Sequence, residues 1–351
     1  MFEDARLSWR CVEQRSNRIA HLLHEWWGIQ KGDRVGILLP NCLEWPLCYL
    51  GILKVGAIMV PLNVRYGDIE LQEIARGVEL RAVVARGRDA RRLGYPPQSA
   101  SDEDLLLICE GNGNAASAVP LERANILSPE WLAVPREPGD AAAICFTSGS
   151  SGLPKGAVYT HGSTYYASMG QVAALQLTSE DRGLVLAPMA FTGGFMSVYT
   201  LLYMVGACCY IEAGLDAGRA LELLQREGIT FMTGVPILYE SMAARPEFAE
   251  ADLTGFSHSF VGGAPVSQLL LEQYLHKGVT IRQVYGCTEA GGMISLPSRQ
   301  LAAHAPGSCG WPLPSLELRL VNSEGRVCEV GEVGEIQVRG SQMMACYWNA
   351  A

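Results

Sequence analysis

Several signatures are missing from this chain of 351 residues, and each absence narrows what it can be. It holds 11 cysteines but no Cys-x-x-Cys pair, and its 6 histidines are scattered, so no zinc pattern emerges. Cysteines so placed, with Cys208 and Cys209 adjacent in an apolar run, read mostly as small buried hydrophobes of a reducing cytosol. The expected location is therefore cytoplasmic. No basic cluster occurs and the net charge is −9, which argues against a nucleic-acid partner. The longest apolar run, Val198–Ile211, is too short to cross a bilayer as a helix. Met1-Phe2-Glu3-Asp4 is acidic and leads into no signal-like apolar core. No internal repeat appears. What remains is a globular composition, 49% apolar and 18% charged, long enough for roughly two domains.

The most informative stretch present is Thr147-Ser148-Gly149-Ser150-Ser151-Gly152-Leu153-Pro154-Lys155-Gly156. Hydroxyls and glycines at this density let backbone N–H groups turn inward on a phosphate, and Lys155 adds a point charge. A solvated Ser/Gly linker has a similar composition. Here strand-like runs Ala141–Phe146 and Ala157–Tyr159 flank the loop, and Pro154 stiffens its end. It is not the P-loop of ordinary NTPases, which needs Gly before the lysine and Ser/Thr after it.

The loop resembles the phosphate-binding signature of the adenylate-forming superfamily, of acyl- and aryl-CoA synthetase type. Gln283-Val284-Tyr285-Gly286-Cys287-Thr288-Glu289 is similar to that family's second signature. Val261-Gly262-Gly263-Ala264-Pro265 resembles its glycine-rich strand end, and Gly234–Leu238 a strand-to-helix turn behind the acyl pocket. Gly307–Pro314 resembles the entry to a small β-barrel, and Lys31–Asn41 and Gly51–Ala57 also fit, so the likeness covers essentially the whole chain.

The resemblance implies roles. Thr147, Ser148, Gly149, Ser150, Ser151, Gly152 and Lys155 would hold the phosphates of ATP. Gly263, Ala264 and Tyr285 would flank the adenine, and Pro265 and Gly286 would join them in the nucleotide site. Thr288 would meet the α-phosphate and Glu289 would hold Mg2+, with Thr288, Glu289 and Lys155 as the catalytic set. Phe191, Thr192, Gly193, Val235, Gly262, Gly286, Cys287 and Gly292 would shape the acyl pocket. The implied reaction joins a small-molecule carboxylic acid to ATP, giving acyl-AMP, and then to CoA as co-substrate; a homodimer is admitted.

Alternation of strands and helices predicts layered α/β sheets with ligands at strand carboxyl ends. Residues 1–304 read as a nucleotide- and acyl-binding body of two similar α/β subdomains, with a break near 160–180. Residues 305–351 read as a small antiparallel barrel. Within the body, Asn41 is expected to cap a helix reaching Val55, and Gly111–Asp140 to be a loop or linker.

The chain departs from the family's pattern in three places. A Thr-Gly-Asp segment, a hinge and a mobile C-terminal domain with its bridging lysine do not appear. A truncated form, nearly inactive alone, is therefore expected. Phe191 stands where many acyl-CoA synthetases carry His, and it can gate by shape but donates no hydrogen bond. Thr192 stands where amino-acid-activating domains place Asp, so a substrate without an amine is favoured. His161 matches a position often filled by His and is read as a structural hydrogen-bonder. An amino-acid-adenylating domain for a carrier protein, or a non-catalytic acyl-adenylate binding module, are the alternatives.

Overall fold

The computed structural model describes residues 1–3, 5–94, 101–102, 104–109, 117–147 and 154–349. Three short strands, β1 (Arg34–Leu38), β2 (Ile58–Pro61) and β3 (Ala82–Arg86), are almost continuously apolar. Such runs suit strands buried on both faces, and β1 pairs in parallel with both neighbours. Strands β4 (Leu105–Cys109), β5 (Ser117–Pro120), β6 (Ala141–Thr147) and β7 (Lys155–Thr160) widen this sheet. The first helix, Trp9–His21, starts where the Ser8 hydroxyl accepts from Cys11 N–H. After a π-helical turn, Gly28 ends this segment at φ +61°, a conformation that favours glycine.

The second half repeats the alternation. Strands β8 (Arg182–Val185), β9 (Cys208–Ile211), β10 (Phe231–Gly234), β11 (His258–Val261) and β12 (Ile281–Gln283) form an all-parallel sheet in the order β12-β11-β10-β8-β9. A third sheet joins β13 (Tyr285–Cys287), β14 (Gly292–Leu296) and β15 (Trp311–Pro312), all antiparallel. Beyond residue 305 the chain forms β15, a two-stranded ribbon of β16 (Leu316–Val321) and β17 (Glu335–Gly340), and β18 (Cys346–Tyr347). Strand β18 returns to the first sheet, giving the order β18-β7-β6-β2-β1-β3-β4-β5 among the described residues. The segment expected as a small barrel thus hydrogen-bonds into both flanking sheets.

The two halves share one core. Trp45 and Tyr49, on helix Glu44–Lys54, pack on Phe195 of the second half with ring centroids 5.8 and 5.6 Å apart. Helix His161–Leu175, where the break was expected, buries Ala167, Val172 and Leu175 in that same cluster.

Two local expectations are corrected. Asn41 does not cap helix Glu44–Lys54, whose first turn has no side-chain cap. Its amide instead donates to Ala187 O at 3.0 Å and accepts from Met189 N–H at 2.7 Å, tying the first sheet's strand ends to the second's. Gly111–Asp140 is not all loop. Ser117–Pro120 pairs antiparallel with β4, and a 3-10 helix, Leu121–Ile126, follows. Arg18 holds the next stretch, donating to Leu127 O at 2.8 Å. Among the cysteines, Cys42, Cys48, Cys145 and Cys209 are buried, while Cys287, Cys309 and Cys346 are exposed.

Candidate functional site

Parallel strands leave their carboxyl ends on one edge, and loops must carry the chain away from there. After β8, β10, β11 and β12 the chain turns through Ala187-Pro188, Val235, Gly262-Gly263 and Val284, and all of these line one cavity of about 350 Å³. Strands β13 and β14 close its side with Gly286, Cys287, Thr288, Gly292 and Met293. Its described lining contains no Asp, Glu, Lys, Arg or His. Although Cys287 is exposed as a whole residue, partial desolvation at the cavity wall raises its thiol pKa, so it stays neutral.

Small residues create this space. A Cβ on Gly286 would lie 1.8 Å from Gly292 O, so the β13–β14 turn closes only with glycine there. Gly292 has φ +95°, and a Cβ on it would meet Ser197 Oγ at 2.7 Å. Ser197 sits on a π-helical turn, Phe195–Tyr199, that follows Thr192-Gly193-Gly194. Such turns recur at functional sites because they re-aim side chains toward a ligand.

Seven of the expected acyl-pocket residues line the cavity: Thr192, Gly193, Val235, Gly262, Gly286, Cys287 and Gly292. Phe191 does not. It is 39% exposed, with its ring 6.5 Å from that of Tyr66. Of the nucleotide residues, Gly263, Gly286 and Thr288 line the cavity, while Ala264, Pro265 and Tyr285 are exposed on the same strand ends. Ser148, Gly149, Ser150, Ser151 and Gly152 lie outside the described residues. Their anchors are described: Thr147 ends β6 opposite Lys155, which opens β7.

Lys155 and Glu289, from the two chemical motifs, converge on one side chain that sequence reasoning did not single out. Tyr347 of β18 donates its hydroxyl to Glu289 Oε1 at 2.7 Å, and Lys155 Nζ stands 5.5 Å from the centre of the same ring. Its neighbours are bonded to both motifs: Met344 N–H donates to Glu289 O at 2.9 Å, and Trp348 N–H to Gly156 O at 2.7 Å. Gln342, fully buried, donates through Nε2 to Ala290 O at 2.7 Å and Met293 O at 2.9 Å. Its Oε1 accepts from the Ser315 hydroxyl.

Among the described residues no group of three His, Cys, Asp or Glu gathers to cage a metal. The Glu289 carboxylate accepts from the Tyr347 hydroxyl and lies beside the Cys287 thiol, and a single carboxylate so placed suits Mg2+, which is commonly held by one carboxylate, water and substrate phosphates. His161 is bonded otherwise than expected. Its backbone N–H donates to Asp140 O at 3.0 Å, but its buried Nε2 has no partner among the described residues, and burial lowers its pKa.

A cavity whose described lining is free of charge thus lies at parallel strand ends, near Lys155 at the head of β7 and the Thr288-Glu289 turn. The family model described as AMP-binding enzyme matches residues 1–348. The chain belongs to the AMP-binding enzyme family. It is 32% identical over 321 residues to a feruloyl-CoA synthase from Amycolatopsis sp, covering 92% of this chain and 62% of that protein. It is 29% identical over 346 residues to the long-chain-fatty-acid–CoA ligase FadD13 of Mycobacterium tuberculosis, covering 99% and 67%. The inhibitor-bound N-terminal domain of FACL13 from Mycobacterium tuberculosis superposes with a TM-score of 0.86 at 27% identity, covering 99% of this chain and 85% of that one. The layered α/β architecture is thus that of an adenylate-forming N-terminal domain. The chain spans less than two thirds of the length of the feruloyl-CoA synthase. No helix among the described residues is long and apolar enough to cross a membrane.

Proposed function

We propose that this AMP-binding family member serves ATP-dependent activation of a carboxylic acid through acyl-AMP, followed by transfer of the acyl group to CoA. The observation that carries the reading is the charge-free cavity opening onto Thr288, one residue from the Glu289 carboxylate. The acid's tail would lie in the cavity, against Gly193, Val235 and Gly292, with its carboxylate toward Thr288. That carboxylate is already ionised at neutral pH, so no side-chain base is required. The work is to hold the attacking oxygen in line with the α-phosphorus and to meet the negative charge that develops there.

Thr288 would donate to the α-phosphate, and Lys155, with the loop after Thr147, would hold the departing pyrophosphate. Tyr285, 38% exposed at the end of the bend after β12, offers a flat face for adenine. Glu289 would hold Mg2+, which when bound supplies neutralising charge to the phosphates. CoA thiolate then displaces AMP.

A lining without a carboxylate fits a substrate tail without an amine: a buried ammonium would find no counter-charge at Thr192. Relatives named for feruloyl-CoA and for long-chain fatty acids agree with uncharged aryl or alkyl tails. The test is an assay of the protein with ATP and Mg2+ across aryl, fatty and amino acids, reading pyrophosphate release and CoA thioester. Acid-dependent pyrophosphate with CoA thioester is expected. Amino-acid-dependent pyrophosphate exchange without any CoA thioester would refute the reading and favour a carrier-protein acceptor.

A further inference from the structure

We propose that Tyr347 is a positioning residue for metal-bound ATP: its hydroxyl fixes the Glu289 carboxylate in the orientation that meets the cation. The inference rests on the reading of Glu289 given above. Strand β18 places Tyr347 across from Ala157, two residues past Lys155, so its side chain stands where the two phosphate-binding motifs approach each other. The hydroxyl donates to Glu289 Oε1 at 2.7 Å, and the ring lies beneath Lys155 Nζ. A tyrosine hydroxyl is protonated at neutral pH, so it acts as the donor in this bond.

A carboxylate without a restraining partner rotates about its last torsion, and it also competes for a nearby ammonium. Tyr347 restrains both. One carboxylate oxygen is committed to the hydroxyl, which sets the orientation in which the carboxylate meets a cation that demands strict geometry. The ring meanwhile holds the Lys155 ammonium by its face, within cation–π range. Both backbone flanks are anchored, Met344 on Glu289 O and Trp348 on Gly156 O, so the ring is carried by a strand rather than a loose tail. A hydrogen bond to an ionised group is among the stronger ones, which makes its loss measurable.

The decisive quantity is the ratio of ATP dissociation constants without and with Mg2+, measured by calorimetry with no acid present. Tyr347→Phe keeps the ring, its packing and its contact with Lys155, and removes only the hydroxyl. The ratio should fall about tenfold in Y347F while metal-free ATP binding stays within about twofold. Glu289→Gln should lower the ratio at least as far, and adding Y347F to it should lower the ratio no further. An unchanged ratio in Y347F, or a loss that adds fully to that of Glu289→Gln, overturns the role of Tyr347 alone. A parent protein that binds ATP equally with and without Mg2+ overturns the metal role of Glu289, and the proposal with it. A parent protein that binds no ATP overturns the functional reading itself.

Discussion

Replacing Gln342 by alanine should loosen the turn that carries Thr288 and Glu289. The side chain is fully buried and satisfies three groups at once: Ala290 O, Met293 O and the Ser315 hydroxyl. Alanine would leave two carbonyls facing a hole lined by protein. An orphaned buried polar group costs on the order of 1–3 kcal/mol, so the pair and the small void together amount to about 3–4 kcal/mol. At about 2 °C per kcal/mol for a chain of this size, the melting temperature should drop by roughly 6–8 °C. The loss should also be local. Backbone amides of residues 288–293, such as Gly291 N–H bonded to Thr288 O at 3.1 Å, should exchange with solvent at least about tenfold faster than in the parent. Thermal unfolding followed by circular dichroism, with hydrogen exchange read by mass spectrometry, measures both. A melting shift under about 2 °C with unchanged exchange at this turn would show that the carbonyls have other partners, and would refute the clamp.

Lys155→Ala should slow adenylate formation on the order of a hundredfold while nearly sparing thioester formation from supplied acyl-AMP, because pyrophosphate leaves only in the first step; equal losses in rapid-quench assays of the two half-reactions would contradict the phosphate role. Thr192→Asp places a carboxylate in a cavity with no lining cation, so the KM for the native acid should rise about tenfold or more; an unchanged KM would show that Thr192 does not meet the substrate. Burial lowers the pKa of His161 below its ordinary 6.5, so the unfolded chain binds a proton there that the folded one does not. Stability from this group is therefore complete above about pH 6.5 and is lost as pH falls below it; urea midpoints between about pH 5 and 8 should vary less in His161→Gln than in the parent, and equal slopes would count against it.

What the sequence made legible and what it hid divide along a physical line. Strand–loop transitions at Thr147, Gly262 and Tyr285 were readable because apolar runs and glycines encode them locally, and the cavity formed where parallel strands end. Residues whose partners lie far along the chain were not. Asn41 follows a strand and precedes a helix, as a cap would, but its amide bonds to Ala187 and Met189 more than a hundred positions away. Gln342 and Tyr347 sit in an unremarkable polar-aromatic stretch, and only pairing of β18 with β7 brings them to the Thr288–Glu289 turn. Ser197 escaped notice for another reason: the π-helical turn that aims it into the cavity leaves no mark in an ordinary helical period. Phe191 was expected in the pocket because it stands where many acyl-CoA synthetases carry His; in the structure its ring lies 6.5 Å from that of Tyr66.

Strand β18 also bears on how the molecule comes into being. Its partner β7 carries Lys155, and without β18 that strand would be the sheet's open margin. The two pairing segments are separated by roughly 190 positions, and a ribosome adding about 5–20 residues per second needs on the order of 10–40 s to make them. Throughout that interval the nascent sheet offers unpaired N–H and C=O groups to any other chain nearby, a known route to misassembly. The stitch that completes the phosphate side of the site is therefore also what closes this margin of the first sheet. That margin should stay open until Tyr347 has left the exit tunnel.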